Sequence, residues 1–304
     1  MLVLAFTMHS GAGTAAGNGH TADASSARLE SGSHGGAAGQ PDAVTACSLQ
    51  RGEERRVTGV VDGDTLVLDD GREVRLTGIQ APKLPLGRSG FAAWPLAEDA
   101  RSRLEELALG AVVQLRYGGA RGDRHGRVLA HVFVYDMGGE IWLQQRMLAE
   151  GFARVYTFKD NRACGGALYS AERAARAAGA GIWADPFYAI RDAADTGGLD
   201  RLSGSFELVE GKVQSAALVR GRLYLNFGDD YRSDFTVTVG ERDVRIFLQD
   251  QVWAALLQTE GETGPPLDRL SGMQLRVRGW LSRRNGPEIT ATHPEQIEFT
   301  GNQD

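Results

Sequence analysis

The sequence is poor in cysteine, because Cys47 and Cys164 are the only two among 304 residues. Two cysteines cannot supply the multiple cross-links that hold a small disulfide-rich scaffold together. They could form a single bridge if the protein is exported to an oxidising compartment. The sequence leaves both the bridge and the export open.

Long hydrophobic runs and an excess of positive charge are also lacking. No window approaches the ~18 continuous apolar residues that a membrane-spanning helix needs. The formal charge is −6, which excludes a polycation that coats nucleic acid, so any nucleic-acid site must be local. Residues 51–190 carry 19 basic and 18 acidic residues, whereas 191–304 carry 13 and 18, so the first segment is the better candidate for binding phosphate.

Composition predicts a leader and two domains. With 42% apolar residues, the chain is long enough for two separate cores. We assign residues 1–50 to a disordered leader, 51–190 to the first domain, 191–204 to a polar linker and 205–300 to the second domain. The apolar start, Met1 to Phe6, is short and follows no basic residue. It is either the remnant of a signal sequence of an exported or periplasmic protein, or no targeting signal.

The order of elements predicts a mainly β, α+β chain. The first domain alternates strands with three helices, near 95–107, 142–150 and 167–180, which suits a small closed antiparallel barrel with helices packed on it. The second domain reads as strands, with one at 242–248, followed by a short helix at 251–258 and further strands. That order predicts a second small barrel of the oligonucleotide-binding type.

The stretch from Val60 to Thr65 organises the first domain. It lies in an extended run that the predicted turn Asp69-Asp70-Gly71-Arg72 connects to a returning strand at 73–79. Asp64 and Arg75 therefore fall on neighbouring antiparallel strands. A carboxylate suits a hard divalent cation and a guanidinium suits a phosphate, although a cross-strand ion pair has the same residues.

Five motifs occur in a specific order along residues 55–188. They are Asp-Gly-Asp-Thr at 62–65, Arg-Leu-x-Gly-Ile-x-Ala-Pro at 75–82, Asp-Arg-His-Gly-Arg at 123–127, Gly-Phe-Ala-Arg-Val at 151–155 and Gly-Ile-Trp at 181–183. This ordered set resembles the thermonuclease family, whose type member is staphylococcal nuclease. The resemblance implies an oligonucleotide-binding-type barrel with three helices. It also implies phosphodiester hydrolysis by a calcium ion, a general-base glutamate and two arginines.

Position by position, the resemblance carries over only part of that machinery. Asp64 matches the first calcium-binding aspartate, and Arg75 and Arg127 match the two phosphate-binding arginines. Arg124, in the same loop as Arg127, is a further candidate phosphate ligand. Gln80 stands in place of a second calcium-binding aspartate and Lys83 in place of the general base. A site with one carboxylate fewer attracts a dication weakly, and a lysine ammonium near neutral pH has no lone pair with which to accept a proton.

Two functions follow from these departures. In the first, the protein is a nuclease with Arg75, Arg127 and Lys83 as its catalytic residues. Lys83 would protonate the leaving oxygen or stabilise charge in place of the metal, and a distant acid, Glu98 or Asp99, would orient water. His125 in the arginine loop is a further candidate acid or base. In the second, the barrel binds nucleic acid or another phosphorylated ligand without cutting it. The nucleic acid expected is DNA or RNA in single-stranded form. Calcium is the implied cofactor, at a weakened site of Asp64 and Gln80.

The second domain offers aromatic residues interleaved with arginine. Tyr224, Phe227, Tyr231 and Phe235 lie near Arg220, Arg222 and Arg232. Such a pattern is typical of surfaces that stack bases of single-stranded nucleic acid. Aromatics at alternate positions are equally typical of a barrel core, which we favour for Tyr224. A protein-interaction or purely structural module is therefore the alternative, and the sequence names no protein partner.

Overall fold

The computed structural model describes residues 47–257 and 267–301. Residues 1–46 of the predicted leader and residues 258–266 lie outside those ranges. Within them, buried apolar side chains form two separate clusters, one between Val57 and Ala171 and the other between Ala193 and Ile297. No helix in these ranges is both long enough and apolar enough to cross a membrane.

A closed barrel of five strands forms the first domain. The strands of this domain are β1 (Gln50–Asp62), β2 (Thr65–Leu68), β3 (Glu73–Leu76), β4 (Gly78–Gln80), β5 (Val112–Tyr117), β6 (Val128–Asp136), β7 (Gly139–Trp142) and β8 (Arg154–Tyr156). The order β3-β2-β1-β5-β6 closes because β3 also pairs with β6, in parallel. This confirms the barrel predicted for the first domain. β7 extends the sheet beyond β6, and β4 pairs with β8 outside it.

Alternation of apolar residues explains how the barrel fills. Side chains of β2, β3 and β5 at every second position are almost fully buried: Leu66, Leu68, Val74, Leu76, Val113 and Leu115. Because successive residues of a strand point to opposite faces, this spacing places one continuous apolar row inside the barrel. Burial of such side chains stabilises the fold by about 1.5–3 kcal/mol each.

Three helices pack on the barrel, within or close to the spans predicted for them. They are α1 (Ala97–Ala108), α2 (Leu143–Ala149) and α3 (Gly165–Ala177). The side chains of Leu168, Ala171 and Ala175 on α3 are buried against the barrel. Gly151, two residues after the last residue of α2, has φ +75°, and a Cβ there would lie 2.1 Å from the Ala180 carbonyl oxygen. Only glycine fits this crossing of two chain segments.

The two cysteines form a disulfide. Cys47 pairs with Cys164, which lies 117 residues further along the chain, just before α3. The sequence left this pairing open. The bridge attaches the segment before β1 to the helical side of the barrel.

The second domain uses similar strand connections without closing its sheet. Its elements are β9 (Arg191–Asp192), α4 (Thr196–Arg201), β10 (Phe206–Lys212), β11 (Ser215–Val219), β12 (Arg222–Asn226), β13 (Thr236–Val239), α5 (Glu241–Phe247), α6 (Gln251–Leu257), β14 (Gln274–Arg283), β15 (Pro287–Ala291) and β16 (Ile297–Phe299). The order is β11-β12-β13-β15-β14-β10-β9, with β16 on β14. The paired strands form an open path, so the predicted second closed barrel is not confirmed. Val213 and Gln214 alone separate β10 from β11, which lie far apart in that path.

The structure differs from two local predictions for this half of the chain. The strand predicted at 242–248 is α5, whose buried Val244 and Phe247 are three residues apart, a helical spacing. The segment 191–204, predicted as a polar linker, contains β9 and α4, and its Ala193 and Leu199 belong to the second core.

A buried ion-pair network joins the two domains. Arg278 of β14 is almost fully buried and donates hydrogen bonds to both carboxylate oxygens of Glu172 of α3, at 2.9 and 3.0 Å. It also binds Glu298, at 2.6 Å, and the Val155 carbonyl oxygen, at 2.9 Å. The guanidinium thus has carboxylate partners from both domains, which compensates for its loss of water.

His131 of β6 makes folding stability depend on pH. Its ring is buried, and neither nitrogen has a hydrogen-bond partner among the described residues. Burial lowers the pKa of His131 to about 4. An unfolded histidine binds a proton below about pH 6.5. Acid therefore favours the unfolded chain, and the stabilisation present above that pH is lost as the pH falls toward 4.

We expect this histidine alone to cost about 2 kcal/mol of stability between pH 7.5 and pH 5. His131→Leu should remove that share of the pH dependence while retaining the fold, because leucine fills the site without a group that titrates. The measurement is urea unfolding of both proteins at the two pH values. An unchanged pH dependence in the variant would contradict the assignment.

Candidate functional site

The turn Asp62-Gly63-Asp64 connects β1 to β2 and carries the first two acidic residues of the site. A Cβ on Gly63 would lie 2.7 Å from the Ala81 Cβ and 2.8 Å from the Ala100 Cβ, so glycine lets the turn pack against α1. The turn places the Asp64 side chain in the interior, at 0% exposure. A buried carboxylate needs compensating partners.

Lys83 is one of two cationic partners of that carboxylate. Its ammonium nitrogen lies 2.8 and 3.0 Å from the two carboxylate oxygens of Asp64 and 3.4 Å from Asp62 Oδ2. The backbone N–H of Ala81 donates to Asp64 Oδ2 as well, at 2.7 Å. The two acidic residues therefore face a cation that the chain itself supplies.

Arg75 lies on the other side of Asp64, as its place on the strand next to β2 predicts. Its Nη1 is 3.1 Å from Asp64 Oδ1. The guanidinium also donates to the backbone carbonyls of Leu76, at 3.0 Å, and Ile79, at 2.7 Å. These bonds hold Arg75 rigidly and use part of the donors with which it would bind a phosphate.

Gln80 does not join this group. Its carbonyl oxygen accepts two hydrogen bonds from Arg154, at 2.8 and 3.1 Å. Arg154 is itself buried, with its guanidinium 4.6 Å from the centre of the Phe206 ring, and burial lowers its pKa to about 10. The amide oxygen of Gln80, predicted as a ligand beside Asp64, is instead bound by the buried Arg154.

Burial and neighbouring charges shift the pKa values of Asp62 and Asp64. Burial raises the pKa of Asp62, and the negative charge of Asp64 raises it further. Burial acts in the same direction on Asp64, but Arg75 and then Lys83 oppose it, and the pKa of Asp64 lies well below its ordinary value. Asp64 is therefore a permanent anion neutralised by two cations.

These residues do not fit a calcium ion. Calcium takes six to eight oxygen ligands, several of them from carboxylates. Here both oxygens of Asp64 are bound by protein cations, and Gln80 is turned away. Across 47–257 and 267–301 there is no group of three or more His, Cys, Asp or Glu side chains that could hold a metal. The calcium site predicted from Asp64 and Gln80 has no support in this geometry.

A cavity of about 780 Å³ opens beside this cluster. The basic residues that line it are Arg75, Lys83, Arg88, Arg124, His125 and Arg127. Its acidic lining residues are Asp62, Asp123 and Asp160. We call this space the cationic cavity. The predicted phosphate-binding arginines, far apart in sequence, thus line one space.

Local structure explains how the arginine loop reaches the cavity. Arg127 directly precedes β6, whose Leu129 pairs with Arg75 of β3. Asp123 accepts hydrogen bonds from the backbone N–H of Arg127, at 3.0 Å, and of His125, at 2.8 Å. Its other oxygen is 2.8 Å from Arg127 Nε. Arg127 is thereby fixed. Arg124 is exposed, and within the described residues its side chain hydrogen-bonds only to the ring of His125, at 3.1 Å.

The distant acids proposed from the sequence are not at the site. Glu98 and Asp99 are exposed in the first turn of α1 and do not line the cationic cavity. Glu98 contacts Arg101 of the same helix, at 3.8 Å. His125 does line the cavity.

The sequence analysis missed Asp62, which the Asp-Gly-Asp motif could have indicated, and Trp280, which no local pattern indicates.

The aromatic residues of the second domain separate into two groups. Phe227 and Phe235 are core residues. Tyr224 and the exposed Tyr231 line another cavity, of about 380 Å³, with Arg222. The core position favoured for Tyr224 is therefore wrong, because its side chain points to the outer face of β12.

Known proteins are similar to the first domain. The family model for staphylococcal nuclease homologues matches residues 73–185. A thermonuclease of Staphylococcus hyicus is 26% identical over 133 residues, which cover 43% of this chain and 75% of that protein. A thermonuclease of Staphylococcus intermedius is 30% identical over 114 residues, 36% of this chain and 64% of that protein. Endonuclease YncB of Bacillus subtilis is 35% identical over 106 residues, which span 33% of this chain and about half, 47%, of that protein.

Proposed function

Since the first barrel is a divergent thermonuclease-like domain, we propose that it binds nucleic-acid phosphates in the cationic cavity without calcium. The observation that carries this proposal is the position of Lys83. Its ammonium lies within 3.4 Å of Asp62 and Asp64, in contact with the acidic residues that a dication would need. Asp64 is then the counter-ion of Lys83 and Arg75, and Gln80 is the hydrogen-bond acceptor for Arg154.

The charge of the cavity favours an anionic ligand. Five arginine and lysine side chains line it against three aspartates, and Asp62 and Asp123 already pair with lining cations. Phosphate oxygens of a nucleic acid would accept hydrogen bonds from the remaining donors of Arg127, Arg124 and Lys83. Because the whole chain carries −6, this local excess is what can bring nucleic acid to the protein.

One observation favours a second function, metal-independent phosphodiester hydrolysis. Asp62 lines the cavity, and burial raises the pKa of its carboxyl, which is the direction that suits a general base. Lys83 would then stabilise charge on the phosphate or protonate the leaving oxygen. Cleavage that persists in chelator and is lost in Asp62→Asn would favour hydrolysis over binding alone.

We expect Arg127→Ala to weaken binding of a single-stranded oligonucleotide about tenfold. The variant loses a phosphate ligand and leaves the Asp123 carboxylate unpaired beside the ligand. The slope of log affinity against log salt should fall by about 0.7, the value for one phosphate contact on a single strand. Fluorescence anisotropy with chelator present measures both, using single-stranded DNA, RNA and duplex.

Arg146→Ala is the matched control, since Arg146 is an exposed arginine of α2 outside the cavity, 3.7 Å from Glu150. It should leave affinity within about twofold of the original protein. Equal affinity of the original protein and Arg127→Ala would contradict the proposed site.

We also propose that the protein works in an oxidising compartment. The Cys47–Cys164 disulfide supports an exported location, because such bridges persist outside the reducing cytosol. Alkylation of free thiols in freshly lysed source cells tests this proposal. A fully reduced pair would contradict it.

A further inference from the structure

Aromatic side chains from both domains form one wall of the cationic cavity. Tyr156 of β8 and Phe158 just after it come from the first domain, and Trp280 of β14 comes from the second. Phe158 is 48% exposed and Trp280 is 52% exposed. The wall therefore leaves apolar ring surface uncovered beside the basic residues.

Trp280 is held in place although half of its surface is uncovered. Its indole N–H donates to the Tyr156 hydroxyl, at 3.1 Å, and its ring meets the Phe206 ring at 74° with centroids 6.1 Å apart. Trp253 of the same domain is instead 1% exposed. A large aromatic that is fixed yet open to solvent is typical of binding surfaces.

Phe158 continues the same wall. Its ring meets the Tyr156 ring edge to face, with centroids 4.9 Å apart. Phe158 thus contacts the ring of Tyr156, and Trp280 contacts its hydroxyl, so Tyr156 connects the two exposed rings. The basic residues Lys83 and Arg127 line the same cavity.

We propose that Trp280, with Phe158 beside it, is the stacking platform for an unpaired nucleobase whose phosphates bind Arg127 and Lys83. The inference rests on the proposed function and extends it, because it makes the second domain part of the substrate site. Bases offer an apolar π face next to each phosphate, and stacking on aromatic side chains is tolerant of sequence. In a duplex the faces are stacked on neighbouring base pairs, so the platform selects single strands.

The test compares two ligands of equal length, a single-stranded deoxyoligonucleotide and its abasic sugar-phosphate counterpart. In the full chain, Trp280→Ala should weaken binding of the first about tenfold and leave binding of the abasic ligand unchanged. Trp280→Phe, which keeps a ring, should lose less than the alanine variant. Tyr135→Ala is the matched control, because Tyr135 is 51% exposed and lies outside the cavity; it should bind both ligands normally.

The possible failures point to different steps. If Arg127→Ala weakens binding but Trp280→Ala does not, the platform is wrong and the phosphate site stands. If Trp280→Ala weakens both ligands equally, the side chain supports the fold or a protein contact and the stacking role is overturned. If the original protein binds neither ligand, the proposed function fails and the inference fails with it.

Discussion

Reduction of the Cys47–Cys164 disulfide should lower the free energy of unfolding by about 5 kcal/mol. The bridge closes a loop over 117 residues of sequence separation. In the chain-entropy model, opening a loop of that size returns to the unfolded chain the freedom that corresponds to about 5 kcal/mol. Such a loss is comparable to the whole stability of many domains. The folded population in reductant should therefore fall steeply at moderate temperature.

Urea unfolding with and without reductant measures this effect. A double variant, Cys47→Ser with Cys164→Ser, is the control, because its stability should be low in both conditions and indifferent to reductant. Equal stability of the original protein in both conditions would mean that the bridge does not form or does not constrain the unfolded chain.

Lys83→Met should destabilise the protein by about 3 kcal/mol. The substitution removes the ammonium that lies 2.8 Å from the fully buried Asp64, and breaking a buried ion pair leaves an uncompensated charge. Arg75 remains at 3.1 Å and limits the loss. Thermal or urea unfolding at neutral pH gives the change.

A surface lysine supplies the matched substitution. Lys159 is 56% exposed at its side chain and pairs with Asp243, at 3.2 Å. Lys159→Met should change stability by less than about 0.5 kcal/mol, because exposed ion pairs contribute little. Equal effects of the two substitutions would show that Lys83 is not a structural counter-ion.

Local patterns predicted most of the first domain. The three helices follow from a side-chain period of 3.6 residues, and the hairpin after Val60–Thr65 follows from its Asp-Gly turn, so neither needs knowledge of distant residues. The second domain was harder because α5 is only seven residues long, and a run of that length fits either period. Sheet closure depends on how far strands are sheared, which alternation does not encode.

Only those contacts of the site that join residues close together in the sequence were predictable. Asp64 and Arg75 lie together because they flank a hairpin. The direction of Gln80 depends on Arg154, which is 74 residues away, and Trp280 reaches the cavity through the packing of another domain. Sequence patterns therefore identified the departures from the thermonuclease pattern at Gln80 and Lys83, but they did not indicate which side chains these two residues contact.

Calcium titration of the original protein, followed by calorimetry and by anisotropy of a bound single-stranded oligonucleotide, tests the central claim most directly. With Lys83 as the counter-ion of Asp62 and Asp64, we predict no heat of binding up to about 10 mM calcium, well above the dissociation constants of weak extracellular calcium sites. Oligonucleotide affinity should be the same in calcium, after correction for ionic strength, as in chelator. Stoichiometric calcium binding that strengthens oligonucleotide binding, and that Asp64→Asn abolishes, would contradict the account.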